Sequence, residues 1–269
     1  FFHYFISTKN YISLNKNIMF KARYLFSEGI KNSLGKNFYY SGLFVNLKYK
    51  SIELGLSKNI LSGGYPNLSW NINDAASVIL TNINERYWDS IYDFYILKEF
   101  KESNLEVFVE IGYPNRSYGG NDPEVYYDHS RGTNLGLRKK DFLGNNNLVF
   151  GFEYARLVQS SYYNILPSSN WYDNFKYNYF SYDQRRWAAH SGSDSDDLFI
   201  YLGYTKDSKS IFYEFNYERH GVSYHFPPEI KYENRFIIQY DYNDNYSISI
   251  NYENESYIHY GFVDFNNNV

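Results

Sequence analysis

Residues 187–229 read WAAHSGSDSDDLFIYLGYTKDSKSIFYEFNYERHGVSYHFPPE, and this stretch decides the fold class. A polar and aromatic approach leads into a strand over Asp197–Tyr204, and a tight turn follows at Lys206-Asp207-Ser208-Lys209. A returning strand runs from Ile211 to Glu218. On it Ile211, Tyr213, Phe215 and Tyr217 share one face, while Phe212, Glu214, Asn216 and Glu218 share the other, because side chains alternate across a strand. One apolar face with tyrosines and one face with carboxylates suit a strand between lipid and a wet lumen. A solvated soluble sheet would also fit, so the rest of the chain has to decide.

Composition narrows the choice. At 269 residues one domain is expected, and an all-β barrel of this length is ordinary. Aromatic residues make up 22% of the chain, with 33 Tyr and 22 Phe, which favours strands and membrane–water interfaces. A genome biased towards Asn, Ile, Lys and Tyr accounts for part of this excess. The net charge of −4 comes with no basic stripe and argues against nucleic acid as a partner. The absence of cysteine excludes disulfides, thiolate metal sites and a cysteine nucleophile. No run reaches the roughly 18 apolar residues of a membrane helix. A mean hydropathy of −0.58 still permits a membrane barrel, since only alternate residues face lipid. The chain opens without Met inside a strand-like segment, Phe1 to Ser7, so a mature chain or a piece of a larger barrel of 16–18 strands is expected, lacking N-terminal sequence.

Period-two alternation recurs along the chain. It marks Ile18–Phe26, Leu43–Lys48, Ile52–Ser57, Leu105–Tyr113, Leu148–Ala155, Phe236–Tyr240, Tyr246–Glu253 and a last strand Tyr257–Phe265. Arg131–Lys140 is weaker, Ser77–Leu80 reads as a short strand or an inward loop, and Asn84–Leu97 reads as apolar on both faces. About 12–14 strands are expected in all. Short turns fall near 49–51, 100–103, 141–147, 206–209 and 242–245, and between them lie long segments at 28–42, 58–83, 114–130, 159–196 and 219–232. Sorting of connections by parity is a property of outer-membrane barrels, with short periplasmic turns and long extracellular loops. A sandwich has no reason for it. The expected class is therefore an all-β, antiparallel up-and-down transmembrane barrel, with a soluble β-sandwich adhesin as the alternative.

The segment from Tyr162 to Glu229 resembles the Wzi family of capsule-assembly outer-membrane proteins. The resemblance rests on the aromatic approach (Tyr172, Tyr177, Tyr179, Tyr182), the run Arg186-Trp187-Ala188-Ala189-His190 through Asp197, Glu218-Arg219-His220-Gly221, and Pro227-Pro228-Glu229. Ile52–Gly64 is similar to that family's early hairpin and Gly-rich loop. Family members are larger, with about eighteen strands and an N-terminal helical part that this sequence does not show. The resemblance implies a non-enzymatic, cofactor-free lectin that organises capsular polysaccharide, in contact with outer-membrane lipid.

Sugars offer apolar CH faces to aromatic rings and hydroxyls to Asp, Asn and Arg. Trp171, Tyr172, Tyr179, Tyr182, Arg185, Arg186, Trp187, His190, Asp194 and His220 are the candidate carbohydrate-binding residues. Packing of these rings within a loop, or in an interface girdle, is the competing account. Glu214, Glu218 and Glu253 are expected to face the lumen, with Lys21, Arg23 and Glu153, either as a salt-bridged lining or as a constriction of a diffusion porin. Asp194, Asp196 and Asp197 lie close enough in sequence for a calcium site, but lack the glycine and terminal glutamate of an EF-hand. His190, His220 and His225 with Ser191 and Ser223 allow a Ser/His hydrolase to be drawn, although no nucleophile-elbow pattern supports it.

Overall fold

The computed structural model describes residues 3–31, 37–63, 89–114, 132–157, 181–182, 185–186, 194–222, 226–243 and 246–263. Among them the strands are β1 (His3–Ser7), β2 (Ile12–Ser13), β3 (Ile18–Lys31), β4 (Asn37–Tyr49), β5 (Ile52–Gly63), β6 (Asp89–Phe100), β7 (Leu105–Pro114) and β8 (Gly132–Lys140). They continue as β9 (Leu148–Leu157), β10 (Ser181–Tyr182), β11 (Arg185–Arg186), β12 (Ser195–Lys206), β13 (Lys209–His220), β14 (Glu229–Asn243) and β15 (Tyr246–Ile258). The fold is all-β and antiparallel with up-and-down order. The pairing path of a 13-stranded sheet runs β1-β3-β4-β5-β6-β7-β8-β9-β12-β13-β14-β15, with β2 on β3, and β10 pairs β11 separately. Among the described residues that path has two ends, β1 and β15.

The chain groups into two compact units. The first comprises Phe1–Ile96, Glu110–Gly132 and Gln159–Ser193, and the second Leu97–Val109, Thr133–Val158 and Asp194–Val269.

In the second unit β12 and β13 are joined by a two-residue turn, with Lys206 paired to Lys209 and Asp207 at a φ of 51°. Aspartate tolerates that left-handed conformation better than most residues. In the first unit Lys50, at a φ of 53°, does the same between β4 and β5. The 3-10 turn Lys101–Ser103 and the segment Phe142–Gly144 close the other described short connections. Each tight turn expected from the sequence is therefore a tight turn, apart from residues 244–245, which lie outside the described residues.

Several boundaries differ from expectation. The segment 28–42 is mostly strand, since β3 reaches Lys31 and β4 starts at Asn37. Glu28 pairs with Tyr39, and the Asn37 amide bonds the Glu28 carboxylate. Strand β5 continues to Gly63 and β6 starts at Asp89, so the connection expected at 58–83 is displaced along the chain, while β13 runs to His220 and β14 starts at Glu229, which shortens the one at 219–232. Strand β6 is not apolar on both faces, because Asp93 and Tyr95 make polar contacts on one of them. Strand β15 does not break at Asn254: Asn254, Glu255 and Ser256 pair in register with Asn234, Glu233 and Tyr232. A 3-10 turn, Tyr260–Phe262, follows in place of a separate last strand. Ser77–Leu80 lies outside the described residues.

Burial is inverted relative to a water-soluble sheet. Among the described residues the buried apolar side chains are Phe26, Ile60, Leu61, Ile91 and Leu157. The buried polar ones are Ser27, Ser41, Asp194, Ser195, Asp196, Asn216 and Glu218. Meanwhile Leu56 is 59% exposed, Ile238 47% and Ile250 61%.

The polar faces are closed by rings lying over glycines. A Cβ on Gly151 would sit 1.9 Å from the Tyr201 ring, and one on Gly55 would sit 1.8 Å from the Tyr95 ring. Only glycine leaves room for an aromatic ring to lie flat across the neighbouring strand.

Candidate functional site

Register assigns each side chain to a face. In the second unit the pairs Glu218↔Lys231, Asn216↔Glu233 and Glu214↔Arg235 lie on one face of β13 and β14. Strand β15 adds Glu255 opposite Glu233 and Glu253 opposite Arg235 on that same face. The charges interlock. Arg235 Nε donates to Glu214 Oε2 at 2.7 Å. Lys231 Nζ sits 2.8 Å from Glu233 Oε2, 3.0 Å from Glu255 Oε1 and 3.7 Å from Glu218 Oε1.

Glu218 is the deepest of these groups, with 3% of its side chain exposed. It accepts from Asn216 Nδ2 at 2.7 Å and lies 3.0 Å from His220 Nε2. A carboxylate so far from water is tolerated because donors surround it. Arg138 Nη2 reaches Glu153 Oε1 at 3.3 Å on the same unit. Glu233, Glu253 and Glu255 bring carboxylate oxygens together. Lys231 contacts two of those three, so the cluster is an ion-pair ladder rather than a vacant cation site.

On the polar face of the first unit the carboxylates are bonded by neutral donors. Tyr40 Oη donates to Asn59 Oδ1 at 2.5 Å, and Ser57 Oγ and Asn59 Nδ2 donate to Asp93 Oδ2 at 2.6 Å and 3.3 Å. Nearby, Asn46 Nδ2 and Tyr95 Oη donate to Glu53 Oε1 at 2.8 Å and 2.6 Å. Two cations of that face lie near rings, with Lys21 5.7 Å from the Tyr11 centroid and Arg23 5.5 Å from that of Phe5, and a third, Lys48, stands opposite Glu53.

The opposite face of the second unit is apolar in rows. Phe150, Leu202, Tyr213, Phe236 and Tyr252 form one row, and Phe152, Ile200 and Phe215 the next, which ends in Asn234 and Asn254 on β14 and β15. Then come Tyr154, Leu198, Tyr217 and Tyr232, and after them Arg156, Asp196 and Arg219. At the turn end the apolar rows stop on β12 and β13 at Lys206 and Lys209, where Lys209 lies 5.7 Å from the Tyr240 centroid, while on β14 and β15 the same row holds Tyr240 and Ile248. In the first unit the corresponding apolar face carries Lys58, whose ammonium lies 5.1 Å from the Tyr92 centroid.

Of the expected carbohydrate-binding residues, Trp171, Tyr172, Tyr179, Trp187 and His190 lie outside the described residues, as do Ser191, Ser223 and His225. Tyr182 pairs with Arg185, and Ser181 with Arg186, in the β10–β11 ladder. Asp194 and His220 both lie at the loop end of β12 and β13, where the Asp194 carbonyl accepts from Gly221 N at 2.8 Å and His220 pairs in register with Ser195. Glu214, Glu218 and Glu253 do share one face.

The three aspartates considered for calcium do not converge. Asp196 and Asp197 are consecutive strand residues facing opposite ways, and Asp196 is held by Arg219 through Nε at 2.8 Å and through Nη2. The hydrolase pairing has no described serine, and His220 is occupied with Glu218.

Sequence reading missed Lys231 and Arg235 because the alternation was recognised only from Phe236 onward. The signal was present, since Lys231, Glu233 and Arg235 alternate in charge at a period of two. Asp93 and Tyr95 were hidden by tyrosines on both faces of β6. No family model and no curated protein matches the chain.

Proposed function

We propose that the protein spans an outer membrane as a β-barrel, with the apolar face towards lipid and the charged face lining a water-filled path for polar solutes. The inverted burial carries this reading. Isoleucine, leucine and phenylalanine side chains stand exposed in rows beside a hydrogen-bonded polar face; water-soluble monomers rarely expose large apolar patches, whereas lipid is the natural solvent for such rows.

The dimensions agree. On β12, positions 196 and 206 mark the charged rows, a span of about 34 Å along the strand at about 3.4 Å per residue. A tilt of about 40° reduces that to about 26 Å of height, against an apolar band of about 25 Å in outer-membrane barrels. The tyrosines Tyr154, Tyr217 and Tyr232 sit one row inside the charges, where interfacial rings belong.

Solute passage is favoured by the ladder of Glu214, Arg235 and Glu253, a charged lining that sets which ions pass. The test is refolding with and without detergent micelles, followed by conductance in planar bilayers. A heat-modifiable band formed only in detergent, and a conductance altered in Glu214→Gln, are expected. Cooperative folding in plain buffer would overturn the membrane placement, and an inserted barrel that never conducts would overturn solute passage.

A second reading is favoured by the clustered aromatics and arginines between Tyr162 and Trp187 and by the Wzi-like run that follows. In it the barrel binds or organises surface polysaccharide without catalysis. Glycan binding that weakens in Trp171→Ala and Trp187→Ala supports it; unchanged binding in both removes it.

A further inference from the structure

On β9, β12 and β13 the apolar face ends at the row Arg156, Asp196 and Arg219, which continues on β14 and β15 as Ile230 and Ile258. Register makes Asp196 the direct partner of both arginines, on β9 and on β13, so all three project from the same face as Leu198, Tyr154 and Tyr217. Their strands lie at successive spacings of about 4.8 Å, which places the arginine backbones about 10 Å apart with the aspartate between them.

Asp196 is 5% exposed and binds the Arg219 guanidinium through Nε and one terminal nitrogen. Arginine has five N–H donors in a planar fork, so the other edge of Arg219 remains turned outward, and 42% of its side chain is exposed. Arg156 is exposed, and among the described residues its side chain makes no ion pair. Two guanidiniums against one carboxylate leave one positive charge at the rim, with tyrosine hydroxyls one row below.

From this arrangement we propose that Arg156 and Arg219 hold the phosphate of an anionic lipid headgroup at the loop-side rim of the apolar face. The inference rests on the membrane placement proposed above. A phosphodiester accepts from planar guanidinium forks, and its acyl chains would continue down the adjoining Tyr154, Leu198 and Phe215 rows. Asp196 acts as a positioning residue: it fixes Arg219 in a splayed orientation and limits the charge of the pair.

The experiment uses the full chain reconstituted in phosphatidylcholine vesicles containing spin-labelled phosphatidylglycerol or spin-labelled phosphatidylcholine, with the motionally restricted fraction of each label measured. Wild type should hold phosphatidylglycerol preferentially. Arg156→Gln should reduce that preference by about fivefold, the effect of one cation near an anionic headgroup. Asp196→Asn should raise it, a sign opposite to that expected if the row were merely structural. Inorganic phosphate at millimolar concentration should leave the restricted fraction unchanged, because the acyl chains contribute to holding the lipid.

Insertion is scored separately by co-flotation with pure phosphatidylcholine vesicles. A chain that inserts but holds both lipids equally overturns the headgroup site alone. A chain that does not insert overturns the membrane placement and this site with it.

Discussion

The polar face of the first unit and that of the second meet the same requirement by different chemistry. In the first, Tyr40, Ser57 and Asn59 form a network of neutral donors on Asp93, while Asn46 and Tyr95 converge on Glu53, which also stands opposite Lys48 in register. In the second, Glu214, Glu218, Glu233, Glu253 and Glu255 are set against Lys231 and Arg235. Neutral donors give a short-range network indifferent to salt, while alternating charges couple several strands through two cations and leave an acidic excess. The first arrangement is suited to holding strands together, and the second to acting on ions.

Substitutions can break that contrast, and the largest effect is expected at Lys231. Lys231→Met leaves Glu218, with 3% of its side chain exposed, facing Glu233 and Glu255 without their shared cation. A loss of about 3–5 kcal/mol in urea unfolding from micelles is expected for uncompensated buried charge. A loss below about 1 kcal/mol would show that water already screens the ladder.

Asp93→Ala strips the acceptor from Ser57 and Asn59 and should cost about 2 kcal/mol. The cost should be the same at about 0.05 M and 0.5 M salt, conditions between which the Debye length shrinks severalfold. A strongly salt-dependent cost would erase the distinction between the two faces.

Tyr95→Phe removes a donor to Glu53 and should cost about 1 kcal/mol. Glu214→Gln is expected to be mildest in stability, at most about 1 kcal/mol, because 40% of the Arg235 side chain is exposed. Its cost should shrink further as salt is added. A larger cost for Glu214→Gln than for Asp93→Ala would reverse the proposed division of labour.

Much of this architecture was legible from period-two alternation and turn chemistry. Ile211–Glu218 sorted its two faces by sequence alone, and Asp207 marked the hairpin. Boundaries failed where polar residues continued a strand: Asn254-Glu255-Ser256 looks like a turn until β14 supplies partners for it. The acidic members of the ladder were visible, since Glu214, Glu218 and Glu253 fall on carboxylate-bearing faces. Their cations were not, because ion pairs between strands are set by register, which one strand's sequence does not contain. The row of Arg156, Asp196 and Arg219 shows the same limit, with Asp196 lying 40 positions from one arginine and 23 from the other along the chain.

The sorting of connections has one more consequence. Two-residue turns such as Asp207-Ser208 tie neighbouring strands tightly at one end, and a single inserted residue there would shift a register on which whole rows depend. At the other end the chain travels from Gly63 to Asp89 and from Leu157 to Ser195 between strands of the sheet, and length added there leaves every pairing in place. The chain thus has conservative connections and permissive ones. Peptide tags or grafted recognition loops should be accepted in the permissive connections and rejected in the conservative ones, which makes the fold a display scaffold.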